Sequence, residues 1–338
     1  MEGVHRSEVA GDGVNVLELD GVGIEGVYSC LPANSVDNLA LCRELYGDET
    51  KAASVVKATG IRRKRIAEPG VTSLDLCVSA AEKLMEDASV RPEEIGGLVF
   101  VTFTPARNMP CNACQAQARL KLPKGIVAFD VGLACSGYAY GLYLAGMLVK
   151  ATRKCVLLLD GDVQSAVMRQ DDRDTAPVLA DAGTATLVVP TSGGNPWAFA
   201  FMSDGADGDA LTLPAGGAIS MDGFAVYRFV ATEVTRFIRA FMAKAGVSPD
   251  GVDAFAPHQA NVFMVRQLAK SLGFAAEKLL VSGDEVGNPA SASVPVTISR
   301  CAGSARNLLV AGFGGGLSAS VARISLSDNV LLGSFDDR

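Results

Sequence analysis

The sequence is poor in aromatic residues, in basic charge and in long apolar runs. Phe, Trp and Tyr make up 6% of its 338 residues, whereas apolar residues together reach 49%. A chain of this size and apolar content can bury a large core. Scarce aromatics beside plentiful glycine and small apolar residues favour tightly packed α/β layers. No apolar run reaches the roughly 18–20 residues of a membrane-spanning helix, so we predict no membrane partner.

Other shortages narrow the function further. The net charge of −7 argues against nucleic acid as the main partner. The first residues, Met1-Glu-Gly-Val-His-Arg6, lack the basic-then-apolar order of a secretory signal. Eight cysteines without regular spacing fit a reducing compartment better than a disulfide framework. We therefore expect a cytoplasmic protein.

Histidine is the scarcest residue with catalytic potential, because the chain has only two. His5 lies in a charged N-terminal stretch, and we expect residues 1–13 to be flexible. His258 lies in Asp253-Ala-Phe-Ala-Pro-His-Gln-Ala-Asn261, where a short apolar strand ends at a proline and a helix begins. Taken alone, His258 is more typical of a structural histidine than of a catalytic one.

Cys135 is the candidate nucleophile. It lies in Phe129-Asp-Val-Gly-Leu-Ala-Cys-Ser-Gly-Tyr138, where small residues join an apolar strand to a long helical pattern. The free N–H groups and the dipole of a helix N-terminus favour an anion, so we predict that the pKa of this thiol is lowered. The alternative is an inert buried cysteine that only fills space.

Asn288 completes a candidate catalytic set. It lies in Val286-Gly-Asn-Pro-Ala-Ser-Ala-Ser293, again where a loop opens into a helix. Cys135, His258 and Asn288 thus occupy three similar loop-to-helix junctions. That combination of residue types favours acyl transfer through a thiol and reverses the preference for a structural His258.

Strand and helix patterns alternate along the chain, which implies sheets covered on both faces. Trp197–Ser203 is predicted to pair with the strand before the Gly-rich turn Ser192-Gly-Gly-Asn195. A helix and then a strand follow both Cys135 and Asn288 at similar spacing, which indicates two related halves or a chance similarity. The other predicted elements are strands at Val14–Leu19, Ile95–Phe103, Ile126–Phe129, Val156–Asp160 and Thr184–Pro190, and helices at Thr72–Asp87, Ser136–Ala151 and Ala225–Ala245.

Three short motifs have competing interpretations. Gly21-Val-Gly-Ile-Glu-Gly26 fits a dinucleotide pattern, but the extended residues that follow it offer no helix N-terminus for a pyrophosphate. Cys111-Asn-Ala-Cys114 has zinc-ligand spacing without a second pair, so we predict no metal. Arg62-Arg-Lys-Arg65 is either a solvated turn or a cluster that steers an anionic carrier or a nucleotide phosphate.

Six segments in order resemble the thiolase superfamily, and most closely β-ketoacyl-acyl-carrier-protein synthase III. Together they cover nearly the whole chain. They are Thr59-Gly-Ile-Arg-Arg-Lys-Arg65, Ala134-Cys-Ser-Gly137, Met221-Asp-Gly-Phe-Ala-Val-Tyr-Arg-Phe229, Pro257-His-Gln-Ala-Asn261, Gly287-Asn288 and Gly312-Phe-Gly-Gly-Gly-Leu317.

The resemblance implies a thiolase-like α/β fold with two duplicated halves in a five-layer αβαβα sandwich. The halves would span residues 14–190, with the nucleophilic cysteine, and 191–338, with the histidine and asparagine. It also implies a homodimer in which Met109 reaches the partner's active site. The same resemblance places the backbone N–H groups of Cys135 and Gly315 in the oxyanion hole, and Gly314 and Gly316 in the substrate pocket.

The implied reaction has two stages and needs no cofactor. Cys135 takes an acyl group from acyl-CoA or acyl carrier protein. His258 and Asn288 then hydrogen-bond a malonyl thioester as it loses carbon dioxide, and the enolate attacks the acyl-cysteine. Two alternatives remain: acyl transfer to an oxygen or nitrogen nucleophile, and a non-catalytic partner subunit of a condensing enzyme.

Some residues differ from the family pattern at positions that bind the acyl donor, either coenzyme A or the carrier protein. Ser54 and Ala58 stand where the family places a tryptophan and an arginine that grip coenzyme A, and Phe263 replaces an arginine that helps to dock the carrier. The Gly-rich motif ends in Leu317-Ser-Ala-Ser320, without the family's tryptophan. We therefore expect a specialised paralogue. The remaining candidates for carrier or CoA contact are Arg62, Arg266 and Lys270.

Overall fold

A computed structural model describes residues 13–337. The predicted flexible segment therefore lies outside the described residues except for Gly13, and so does His5. The strands are β1 (Leu17–Leu19), β2 (Val22–Leu31), β3 (Ser35–Asp37), β4 (Arg63–Arg65), β5 (Ile95–Val101), β6 (Val127–Val131), β7 (Cys155–Val163), β8 (Asp181–Pro190), β9 (Trp197–Ser203), β10 (Leu211–Thr212), β11 (Ser220–Met221), β12 (Ala254–Pro257), β13 (Asn307–Gly314) and β14 (Ser318–Asp336).

The helices begin and end close to the predicted positions where the sequence is strongly periodic. Thr72 caps the third helix through a capping box with Asp75, which fixes its start. The α-helices are α1 (Asn38–Tyr46), α2 (Glu49–Thr59), α3 (Ser73–Asp87), α4 (Asn112–Arg119), α5 (Gly137–Thr152), α6 (Gly223–Phe229), α7 (Thr235–Lys244), α8 (Val262–Ser271), α9 (Gly283–Val286) and α10 (Ser293–Cys301).

Two sheets share the long strand β14. One sheet has the order β6-β5-β7-β8-β2, and the other has the order β12-β13-β14-β9-β1. The first part of β14 pairs with β13 and β9, whereas its end, Leu331–Asp336, runs parallel to β2 in the other sheet. The C-terminal strand therefore ties the two sheets together.

The three largest apolar clusters of the described residues lie between the five layers. The central core holds α5 and α10 between the two sheets, with Tyr138, Leu142 and Ile298 buried there. A second core packs α3 and α4 on the outer face of the first sheet. A third packs α7 and α8 on the outer face of the second sheet. The layers follow the predicted αβαβα order, so the predicted fold class is confirmed.

The two halves repeat the same order of elements. In the first, β5 pairs in parallel with β6 and β7, and α5 joins those two strands. In the second, β12 pairs in parallel with β13 and forms a parallel bridge from Phe255 to Leu279, and α10 precedes β13. The bridge at Leu279 therefore corresponds to β6 of the first half, because each pairs in parallel with the strand that precedes it in the chain. The division at residue 190 stays a prediction.

Three local expectations are refined by the structure. Strands β8 and β9 both form, but they lie in different sheets, so the predicted pairing across the Ser192–Asn195 turn is wrong. The predicted helix Ala225–Ala245 is interrupted by a π-helical segment, Val230–Val234. The glycines of Gly21–Gly26 lead into and form part of β2, which leaves no helix to bind a pyrophosphate.

No helix within residues 13–337 is both long enough and apolar enough to cross a membrane.

Candidate functional site

The structure brings Cys135, His258 and Asn288 to one cavity of about 340 Å³. Cys135 follows β6, His258 follows β12, and Asn288 follows the short helix α9. Loops at the carboxyl ends of strands in two related halves meet where the halves face each other. The duplicated topology therefore explains why Cys135 and His258 meet, and a parallel bridge from Leu179 to Asn288 brings Asn288 to the same cavity.

Cys135 lies just before helix α5, with 8% of its surface exposed. Burial raises the pKa of its thiol to about 12, although the Gly315 backbone N–H, which donates to the sulfur, acts in the opposite direction. The predicted lowering of this pKa is therefore wrong for the resting site. Loss of water around the thiolate outweighs the favourable dipole, so Cys135 rests as a thiol.

The ring of His258 is buried and neutral. Burial lowers its pKa to about 4, so it carries no charge near neutral pH. Its Nδ1 lies 2.8 Å from the hydroxyl of Ser293 and 3.0 Å from the carbonyl oxygen of Ala290. The ring of Phe313 lies edge-on against it, with centroids 5.3 Å apart. These contacts occupy one side of the imidazole and leave Nε2 as its unengaged ring nitrogen among the described hydrogen bonds.

Asn288 is oriented by its own backbone turn. The Ala290 N–H donates to Oδ1 of Asn288 at 3.0 Å, so Nδ2 is the donor that remains, with only a long contact of 3.4 Å to the Ala260 carbonyl. The backbone of Asn288 is held by the segment before β8, because Ala180 N–H and Gln164 Nε2 both donate to its carbonyl. The amide nitrogen is therefore the group that Asn288 can offer to a ligand.

The Gly-rich turn after β13 approaches the nucleophile closely. Gly314, Gly315 and Gly316 all line the cavity, and the roles that the resemblance implies for them stay predictions. A Cβ on Gly314 would lie 2.9 Å from the Cys135 sulfur, and Gly314 has a φ of +152°. Only glycine leaves room there for the sulfur and for a reacting carbonyl.

The walls of the cavity are mainly apolar, and sequence reasoning missed most of them. Leu179 and Ile219 belong to a small buried cluster between the segment before β8 and the β10–β11 hairpin. These side chains come from irregular segments without a periodic pattern, so no sequence signal pointed to them. Such a lining suits an acyl chain. Other large apolar residues that line the cavity are Phe103, Leu133, Val178, Leu211, Leu213, Met221, Val226, Met264 and Phe313.

Met109 lies away from this cavity in its own chain. It is 86% exposed and does not contribute to the lining. A contribution to a partner's cavity stays a prediction, and exposure of so large an apolar side chain is compatible with it.

The candidate basic residues differ in their availability. Arg62 forms ion pairs with Asp284 at 3.0 Å and with Glu285 at 2.6 Å, so two carboxylates offset its charge. Arg266 and Lys270 lie on the exposed face of α8. Lys64, in the middle of the predicted basic cluster, is buried, and its ammonium donates to carbonyls of the segment before β8. Arg63 donates to Ser35, and Arg65 pairs with Asp336 at 3.1 Å, so every member of the cluster has a partner within the chain.

Cys111 and Cys114 lie at the start of α4. Cys111 caps α4, and Asp130 accepts hydrogen bonds from the N–H groups of Asn112 and Ala113 in the first turn. In the part of the chain that the structure describes, no group of three or more His, Cys, Asp and Glu residues could hold a metal ion.

Comparison with known proteins identifies the same family along the chain. The sequence profile of 3-oxoacyl-[acyl-carrier-protein (ACP)] synthase III matches residues 129–205, and the profile of its C-terminal part matches residues 242–325. The β-ketoacyl-[acyl-carrier-protein] synthase III 2 of Streptomyces coelicolor is 34% identical over 314 residues, which cover 90% of this chain and 93% of that protein.

Solved structures agree with this. The crystal structure of a 3-oxoacyl-(acyl-carrier protein) synthase from Burkholderia xenovorans is 32% identical, with a TM-score of 0.91, and the match covers 96% of this chain and 99% of that one. The priming β-ketosynthase of the R1128 polyketide biosynthetic pathway is 27% identical, with a TM-score of 0.84, over 94% of this chain and 99% of that one.

Proposed function

The chain belongs to the 3-oxoacyl-[acyl-carrier-protein] synthase III family of acyltransferases, and from this premise we propose that it condenses an acyl group held on Cys135 with a malonyl thioester. The product would be a 3-oxoacyl thioester. The observation that carries this proposal is the apolar cavity that Cys135, His258 and Asn288 share with the Gly314–Gly316 turn.

The first stage is acyl transfer to sulfur. The Cys135 sulfur attacks the carbonyl carbon of an acyl thioester, the bond from that carbon to the donor sulfur breaks, and the proton of Cys135 ends on the departing thiol. The α5 N-terminus and the Gly315 N–H stabilise the thiolate as it forms. The backbone N–H groups of Cys135 and Gly315 then donate hydrogen bonds to the oxyanion of the tetrahedral intermediate.

The second stage forms the carbon–carbon bond. Nδ2 of Asn288 and Nε2 of His258 donate hydrogen bonds to the thioester oxygen of the malonyl group. Carbon dioxide leaves, and the enolate carbon attacks the carbonyl carbon of the acyl-cysteine. The bond from that carbon to the Cys135 sulfur breaks, and the thiolate takes a proton from water. A neutral His258 suits this role because hydrogen-bond donation to an enolate oxygen does not require a formal positive charge.

We further propose that the protein is a specialised paralogue that takes a carrier-bound donor. Ser54 and Ala58 on α2 supply neither an aromatic face nor a cation for adenine, and Arg62 is already paired with two carboxylates. Phe263 is 49% exposed where relatives of this type place an arginine. Arg266 and Lys270 are the cations on α8 that could receive an acidic carrier.

Assembly as a homodimer is part of the same proposal. Met109 is exposed on its own chain and would complete the acyl pocket of the partner subunit. The names of the relatives link them to acyl carrier protein, which is the partner we propose here.

Acyl loading tests the nucleophile. Wild-type protein, Cys135→Ser and the exposed-thiol control Cys114→Ser are incubated with acyl-CoA and acyl-carrier donors, and the adduct is mapped by intact-protein and peptide mass spectrometry. We expect one acyl group on Cys135 in wild type and in Cys114→Ser, and none in Cys135→Ser. An adduct on another cysteine, or none with any donor, would contradict the proposal.

Charge reversal tests the carrier. Arg266→Glu/Lys270→Glu should slow loading from a carrier-bound donor and leave loading from a minimal pantetheine thioester unchanged. Lys121→Glu/Lys124→Glu is the matched control, because these exposed lysines precede β6 at the end opposite Cys135. Equal rates for both variants, or efficient loading of wild type from short acyl-CoAs, would overturn the preference for a carrier.

A further inference from the structure

The protonation pattern of His258 follows from its hydrogen-bond neighbours. The ring is neutral, so one proton lies either on Nδ1 or on Nε2. Nε2 has no hydrogen-bond partner among the described residues, and it can donate to a thioester oxygen only if it carries the proton. The two neighbours of Nδ1, Ser293 and Ala290, decide between these tautomers.

The carbonyl of Ala290 already has a donor. The backbone N–H of Ser293 donates to it within the turn that opens α10. A proton on Nδ1 would let the ring donate to this carbonyl at 3.0 Å, whereas a proton on Nε2 leaves two acceptors in contact there. Because the Ser293 N–H already satisfies the carbonyl, the balance between the tautomers depends on the second neighbour, Ser293.

The hydroxyl of Ser293 needs an acceptor for its proton. Its Oγ accepts the backbone N–H of Gln259 at 3.1 Å, so that contact consumes a lone pair and not the hydroxyl proton. Among the hydrogen-bond partners that residues 13–337 give to this oxygen, Nδ1 of His258 at 2.8 Å is the one acceptor. Ser293 is fully buried, and a buried hydroxyl without an acceptor costs about 1–3 kcal/mol.

We propose that Ser293 is a positioning residue that donates its hydroxyl proton to Nδ1 of His258 and thereby fixes the proton of the ring on Nε2. In this arrangement the Gln259 N–H, the Ser293 N–H and the Ser293 hydroxyl all have acceptors. The inference rests on the proposed function for its catalytic consequence, because Nε2–H is the form that can stabilise the malonyl enolate.

The direct test is the tautomer itself. Because the chain has two histidines, His5→Gln leaves His258 as the sole imidazole, and long-range ¹H–¹⁵N correlation spectra then report which ring nitrogen is protonated. We expect the Nε2–H form in wild type and a shift toward the Nδ1–H form in Ser293→Ala. Ser293→Thr keeps a hydroxyl and should restore Nε2–H. An Nδ1–H ring in the Ser293-containing protein would overturn the inference without any further variant.

The kinetic test separates the two stages. Ser293→Ala should lower the rate of condensation by about 10²-fold, the effect of losing one oxyanion donor, and change acyl loading of Cys135 by less than about two-fold. Ser299→Ala is the matched control, since it removes another buried hydroxyl of α10, which contacts Ser29 at 2.9 Å away from the site. We expect this control to keep both rates.

The outcomes distinguish the two proposals. Condensation by Ser293→Ala at the rate of Ser299→Ala, or an equal loss of loading and condensation, would overturn the role of Ser293 and leave the proposed function standing. Failure of wild type to load or to condense would instead overturn the proposed function, while the tautomer spectra would still decide the state of the ring. If Ser293→Ala does not fold, Ser293→Cys, a weaker donor of similar size, should show the same separation to a smaller extent.

Discussion

At the scale of single residues, burial dominates the chemistry of Cys135. The thiol rests protonated because its pKa is raised to about 12. Below that pKa the thiolate fraction grows about tenfold for each pH unit. We predict that the rate of Cys135 alkylation by iodoacetamide rises steadily from pH 6 to pH 9, measured by peptide mass spectrometry. A plateau beginning near pH 7 would contradict this and would restore the lowered pKa that the helix N-terminus suggests.

The lowered pKa of His258 predicts a pH dependence of stability. The folded ring titrates at about 4 and an ordinary histidine at 6.5, so between these values the unfolded chain binds more protons. The contribution of His258 to the free energy of unfolding is therefore fully present above pH 6.5 and is lost as the pH falls toward 4. It amounts to about 3 kcal/mol, at about 1.4 kcal/mol for each pKa unit.

Urea unfolding between pH 4 and pH 7.5 checks this contribution. The difference in unfolding free energy between wild type and His258→Gln should grow with pH across this range, because the variant lacks the titrating ring. A difference that does not change with pH would show that His258 is accessible to protons in the folded protein.

Gly314 lies directly against the nucleophile. Its φ is +152° and a Cβ on it would lie 2.9 Å from the Cys135 sulfur, so any side chain here strains the backbone and presses on the nucleophile. We predict that Gly314→Ala loses acyl loading by at least about 10²-fold, the scale of a disrupted oxyanion site. Gly303→Ala, at a positive φ with open space around it, is the control for backbone strain alone and should load normally.

At the scale of elements, the acyl pocket depends on segments that lack periodicity. Ile219 and Leu179 belong to one buried cluster and line the cavity, Ile219 from the β10–β11 hairpin and Leu179 from the segment before β8. We predict that Ile219→Trp shortens the longest acyl chain that Cys135 accepts, measured by loading from a series of donors. An unchanged series would place the acyl chain elsewhere, and Met109→Trp would then show whether a partner subunit supplies the limit.

Periodic elements could be predicted from the sequence, and irregular ones could not. Helix α3 follows its capping residue Thr72, and α5 follows the small residues after β6, because local propensity and burial agree there. The pairing of β8 with β2 and β7 rather than with β9 depends on contacts between distant strands. A one-dimensional pattern does not contain that information.

The candidate site divides in the same way. Motifs at loop-to-helix junctions identified Cys135, His258 and Asn288, and the structure places all three on one cavity. Ser293 was not singled out, because its role depends on the direction of a hydrogen bond to His258 that only the folded network defines. The ion pairs of Arg62 could not be predicted from the sequence either, because Asp284 lies 222 residues further along the chain.

At the scale of the whole molecule, strand β14 links the halves that share the active cavity. Its end pairs with β2 in the first sheet, whereas its start continues the second sheet next to the Gly-rich turn. We predict that Leu332→Pro, which places a proline inside the pairing with β2, lowers the melting temperature and acyl loading together. Unchanged loading after a clear fall in melting temperature would show that the halves hold the site without this strand.

The central claim is that the protein forms a carbon–carbon bond between the acyl group on Cys135 and a malonyl thioester. Its most direct test uses wild-type protein preloaded with an acyl group on Cys135 and then mixed with a malonyl thioester labelled with ¹³C at its free carboxyl group. We predict loss of the Cys135 adduct, release of one labelled carbon dioxide for each acyl group consumed, and an unlabelled 3-oxoacyl thioester two carbons longer than the acyl donor. Discharge of the adduct to water or to an oxygen or nitrogen acceptor, with the label retained in the malonyl group, would contradict the account.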